Sequence, residues 1–141
     1  MEISEIRQHA LQAIAKARQS ATERRARADA AARDYERFLQ DVAGPIVRQF
    51  AIVMKAEGFP FTVATPADAL RLESGRTRED FIEIALDPSD PPAVVGRVSR
   101  ERGQRILTTE RPLRQGAGIA DLDDIDVMTF LAEAIGPFVE R

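Results

Sequence analysis

The chain has 141 residues, 44% apolar and 30% charged, with a formal charge of −3, no cysteine and one histidine. That length suits a single domain with a real core, which excludes wholesale disorder. The missing cysteines and lone histidine exclude a disulfide framework, a thiolate zinc site and a multi-histidine metal centre.

Residues 3–57 read as one long helix. Ten alanines lie between Ala10 and Ala32, and Leu, Arg, Glu and Gln fill most other positions there. Gly44-Pro45 interrupts the pattern, since proline lacks a donor and clashes with the carbonyl of Asp41, so a kink is expected at that point. Apolar spacing then resumes through Ile46, Val47, Phe50, Val53 and Met54 until Gly58 caps the helix. Residues 3–43 alone would span about 60 Å. The 84 residues after the helix would form a body only about 30 Å across, too small to cover it. The Tyr35–Val53 portion is therefore expected against the protein's own sheet. The far end, with Ile3, Ile6, Leu11 and Ile14, has no partner within reach and needs another chain. Arg18 and Arg25, on a stripe drawn from Leu11, argue against a strong parallel coiled coil.

Residues 59–113 read as short strands. Phe59, Phe61 and Val63 alternate with smaller or polar residues, and Leu70–Glu73 alternates again. Phe81–Leu86 forms the next strand, and the prolines of Asp87–Pro92 make a loop. Ala93–Arg100 and Gln104–Arg111 are expected to pair as a hairpin turning at Glu101-Arg102-Gly103. A last helix begins near Asp123 or Asp124, with Ile125, Met128, Leu131, Ala132 and Ile135 turned to the sheet. The architecture is α+β: a long helix (1–57) and a compact body (58–141) of four or five antiparallel strands and a C-terminal helix, together one domain.

Charge is distributed unevenly. Residues 1–57 carry ten bases against eight acids, 58–96 three against seven, 97–114 six against two, and 115–141 one against six. The basic stretch places Arg97, Arg100, Arg102 and Arg105 on the hairpin, suited to an anion, an acidic protein surface or a nucleic-acid phosphate. Against nucleic acid stand the acidic total, Glu101 and Glu110 within the stretch, and the lack of interleaved aromatic residues. Asp121-Leu122-Asp123-Asp124-Ile125-Asp126 lacks the glycine and terminal glutamate of a calcium loop and fits a helix cap. His9 has an ordinary helix neighbour in Glu5 and no enclosure. No nucleophile elbow, phosphate loop or dinucleotide fingerprint occurs, so no catalytic residue, metal or cofactor is assigned.

The first residues carry acids where a signal peptide needs bases, and no run approaches the roughly 18 apolar residues of a membrane span, so a cytoplasmic location without membrane contact is expected. The leading expectation is a non-enzymatic interaction module, an adaptor or accessory subunit whose helix arm self-associates or docks on a larger protein. Nucleic-acid binding by the 97–114 hairpin is the alternative. A third reading is a small enzyme with Arg71, Glu83, Arg97 and Thr108 on the sheet face away from the helices.

Overall fold

The computed structural model describes residues 1–140. Helix α1 (Ile3–Phe38) runs through a π-helical turn (Leu39–Ala43) into α2 (Gly44–Ala56) without leaving helical hydrogen bonding. Five strands follow: β1 (Thr62–Ala64), β2 (Leu70–Glu73), β3 (Phe81–Asp87), β4 (Ala93–Arg102) and β5 (Arg105–Pro112). They pair in chain order as an antiparallel meander. A 3-10 turn (Ile119–Asp121) leads to α3 (Asp124–Ala134) and the short α4 (Gly136–Val139). The fold is α+β, with a long N-terminal helix, an antiparallel sheet and a C-terminal helix.

Proline shapes the first helix without breaking it. Pro45 has no N–H for the carbonyl one turn back, and the ladder passes this point by widening. The Gly44 N–H donates to the carbonyl of Leu39, five residues earlier. A side chain at Gly44 would press a Cβ to within 2.6 Å of that carbonyl oxygen, so the tight passage requires glycine. The extra residue also turns the helix. Before the turn the buried positions are Ala31, Tyr35 and Phe38; the turn itself buries Ala43, and after it they are Gly44, Val47, Ala51 and Met54. An unbroken stripe of ordinary helical spacing leads instead to Val53, which is 56% exposed. The expectation that Val53 packs on the sheet is thus corrected, and the π turn is the reason.

The helix ends in a Schellman motif: Gly58 at φ +91 donates to the Lys55 carbonyl, and Phe59 N–H reaches the Met54 carbonyl. That use of the Phe59 donor, followed by donor-less Pro60, delays strand pairing to Thr62, later than the alternation from Phe59 suggests. The β4–β5 hairpin likewise turns later than expected. Arg102 pairs with Arg105, leaving a two-residue turn at Gly103-Gln104 with Gly103 at φ +64.

Alternate residues of the sheet face the helices: Leu70 and Leu72, Ile82 and Ile84, Val94 and Gly96. They meet Val47 and Ala51 of α2 and Val127, Phe130, Leu131 and Ala134 of α3 in one core. On α3 the sequence-based choice of face holds only in part. Leu131 is buried and Ile135 packs against the core, but Ala132 is exposed. Ile125 and Met128 are 69% and 41% exposed, and the buried stripe is Val127, Phe130, Leu131 and Ala134. Both stripes have helical spacing, and contact with the sheet chooses between them.

Tyr35 ties α1 to the end of the sheet. Its hydroxyl donates to the carbonyl of Asp68 at 2.6 Å, and the ring is almost completely buried. Burial pushes the phenol well above its ordinary value, with the nearby Asp68 and Glu83 carboxylates adding to the shift and Arg97 opposing it. A group whose pKa is raised on folding contributes stability that is whole below its unfolded value, about pH 10, and declines above it. As this is the only tyrosine, near-ultraviolet absorbance reads it alone. Tyrosinate is expected to appear only well above pH 10, accompanied by unfolding; ionisation near 10 in the folded protein would contradict the burial.

Candidate functional site

The N-terminal arm is the part of the molecule that the fold leaves unused. Glu2 and Glu5 close a capping box, with the Glu2 N–H donating to Glu5 Oε2 at 3.1 Å, so the helix starts firmly at its tip. From there to Ala30 no residue is buried; Ala31 is the first. At 1.5 Å per residue this is about 40 Å of uncovered helix. The tether nearest the body is Arg27, whose guanidinium reaches Asp90 of the β3–β4 loop at 3.0 Å and holds that carboxyl below its usual range.

Ile3, Ile6, Leu11 and Ile14 are 85%, 52%, 54% and 46% exposed. With about 100° between successive residues, Ile3, Ile6, Ala10 and Ile14 fall within a stripe about 80° wide. Leu11 sits about 100° from its centre, at the stripe's flank. Continued along the helix, the same stripe passes Ala17, Ala21, Arg24 and Ala28 and reaches Tyr35, which is buried in the body with Ala31 at the stripe's edge. One face of α1 thus docks on its own sheet at one end and is bare at the other.

A second feature lies on the sheet face opposite the core. Arg71, Glu83, Arg97 and Glu110 stand side by side across β2, β3, β4 and β5. Both Nε and Nη2 of Arg71 donate to Glu83 Oε1, at 3.0 and 2.8 Å; Arg97 Nη1 donates to Oε2 at 3.3 Å and its Nε lies 3.4 Å from Glu110. Arg71 also stacks 3.8 Å from the centroid of the Phe81 ring. Three of the four residues grouped from sequence, Arg71, Glu83 and Arg97, therefore meet. Thr108 pairs with Ser99, one position along the same face and outside the row. The row borders a cavity of about 950 Å³ shared with Tyr35 and Asp68. Its guanidiniums and carboxylates answer one another, which makes it a clamp across four strands.

The hairpin arginines do not form one patch. Arg97 belongs to this row, whereas Arg100, Arg102 and Arg105 fall on the other face by strand alternation, with Arg102 and Arg105 opposite each other at the tip. The acidic run acts as a cap: Asp123 Oδ1 accepts from the Asp126 N–H, Asp126 accepts from the Asp123 N–H, and Arg114 pairs with Asp126 at 3.2 Å. His9 stands exposed on the arm.

Two buried carboxylates escaped sequence reading as structural groups. Asp80 is 1% exposed and accepts the Glu101 N–H at 2.8 Å, tying the β2–β3 connection to β4; Glu83 is 4% exposed. Their sole sequence signal is an acid within or beside a strongly apolar strand, which register alone turns into a buried partner. No helix among the described residues is long and apolar enough to cross a membrane. Compared with protein-family models, curated proteins and solved structures, the chain matches none.

Proposed function

We propose that this protein is a non-enzymatic assembly module, an adaptor or accessory subunit, that binds another protein chain through residues 3–30 of α1. The observation that carries this is a firmly capped helix whose large aliphatic side chains, Ile3, Ile6, Leu11 and Ile14, lie in water beyond the reach of their own body. Burying one such side chain contributes roughly 1.5–3 kcal/mol, so four of them along a preformed helix supply a substantial interface without any cost of folding the arm. The partner is a second copy of the chain or a larger protein. The same preformed stripe suits docking into an apolar groove, a common mode of helix recognition.

Deletion of residues 1–30 tests the reading. Since Ala31 is the first buried residue, the shortened chain is expected to keep its thermal midpoint and lose assembly, read by light scattering after size-exclusion chromatography. A full-length variant with glutamine at Ile3, Ile6, Leu11 and Ile14 is expected to behave the same way, glutamine being a good helix former without the apolar surface. Undiminished assembly of either protein, or unfolding of the shortened one, would defeat the proposal.

A further inference from the structure

The molecule carries a second unpartnered apolar surface, on α2 and α3. Exposed Val53 of α2 and Ile125 and Met128 of α3, with Ile46 and Phe50 half-buried at its floor, line a groove of about 600 Å³ between these helices. It exists because both helices present an unexpected face: the π turn rotates Val53 outward, and α3 buries Val127 and Phe130 in place of Ile125 and Met128. We infer that this groove receives the N-terminal arm of a second copy of the chain. The inference rests on the arm being the contact surface, as proposed above, and assigns its partner.

Three observations select that occupant. Shape comes first: an open trough between two helices accepts a third helix, and Ile3, Ile6, Ala10 and Ile14 offer the i, i+3, i+7, i+11 anchors that grooves read. Charge agrees. Residues 3–18 hold one acid, Glu5, against Arg7, Lys16 and Arg18, whereas residues 115–140, which include α3, hold six acids and no base, two of the acids, Asp126 and Glu133, being paired with Arg114 and Arg111. Asp124 lines the groove itself, and Asp123, next to it in the chain, is exposed. Reach settles whose arm it is. About 65 Å of continuous helix separates Ile6 from Phe50 in one chain, and the chain's own arm stands exposed, so the occupant comes from another copy. Each chain holds one arm and one groove, so reciprocal exchange closes a dimer with two identical contacts.

The test uses two full-length variants: an arm variant, Ile6→Asp with Ile14→Asp, and a groove variant, Val53→Asp with Ile125→Asp. Val53 and Ile125 are more than half exposed, so the groove variant is expected to keep the wild-type unfolding curve. By sedimentation velocity, wild type is expected to dimerise and each variant alone to weaken at least tenfold per lost aliphatic contact. An equimolar mixture is expected to form a mixed dimer, because the arm variant retains its groove and the groove variant its arm. A groove variant that dimerises like wild type, or a mixture that gives no mixed dimer, overturns the inference and leaves the arm's role standing. A monomeric wild type also overturns it, leaving the arm to a different protein. An arm variant that dimerises like wild type overturns both.

Discussion

Replacing Glu83 by alanine is expected to destabilise the protein by about 3 kcal/mol, read as an earlier midpoint in urea with an unchanged slope. Glu83 is buried in mid-sheet and accepts from two guanidiniums whose side chains are themselves only 24% and 33% exposed. Removing the carboxylate leaves Arg71 and Arg97 facing each other across β3, each already largely desolvated. The penalty is that of a broken buried ion pair, which exceeds the worth of the pair itself. Two further variants separate these terms. Arg97→Met is expected to cost less, since Glu83 keeps both of its bonds to Arg71. The triple variant Arg71→Met, Glu83→Leu, Arg97→Met is expected to recover most of the loss, because apolar residues of similar size replace the whole network. A loss below about 1 kcal/mol for Glu83→Ala would show that water screens the row as it does a surface pair.

Gly96→Ala is expected to cost about as much, about 3 kcal/mol, the upper end of what overpacking costs. Gly96 lies in the middle of β4, paired with Ile84 and Arg111, on the face that α3 covers. A Cβ there would overlap three ring atoms of Phe130, itself 2% exposed. The ring also carries the guanidinium of Arg111 5.4 Å from its centroid, itself held by Glu133. It therefore has little room to yield, and interiors at crystal-like density relax poorly. The double variant Gly96→Ala, Phe130→Leu measures the contact directly. Its loss is expected to fall below the sum of the two single losses by 1 kcal/mol or more, the usual sign of residues in contact. Simple additivity would mean that strand and ring do not touch.

The arm was legible in the sequence for a reason that involves no tertiary detail. A helix written by alanine propensity over more than ten turns outruns any body that 84 residues can build, so Ile3, Ile6 and Ile14 had to lie outside it. Strand order was nearly as plain, because Gly75, Gly103 and the prolines after Asp87 mark turns between short alternating runs. The groove was not legible. Val53, Ile125 and Met128 carry the same apolar signal as true core residues, and hydrophobicity alone assigned them inward.

Propensity, period and turn chemistry act within a few residues, and by themselves they determined which segments are helix or strand, their order, the Gly58 cap and the exposed arm. The rotational phase of each helix was decided only by the tertiary structure. Two apolar stripes competed on α3, and a single added residue in the π turn before Gly44-Pro45 swung the face of α2 by about a quarter turn. Burial of Glu83 was decided there too. An isolated strand leaves its carboxylate in water, and only antiparallel register with β2 and β4 sets an arginine on either side of it. Sequence encodes what each residue offers to its neighbours along the chain; which neighbour across space accepts the offer is settled when sheet and helices close on a common core.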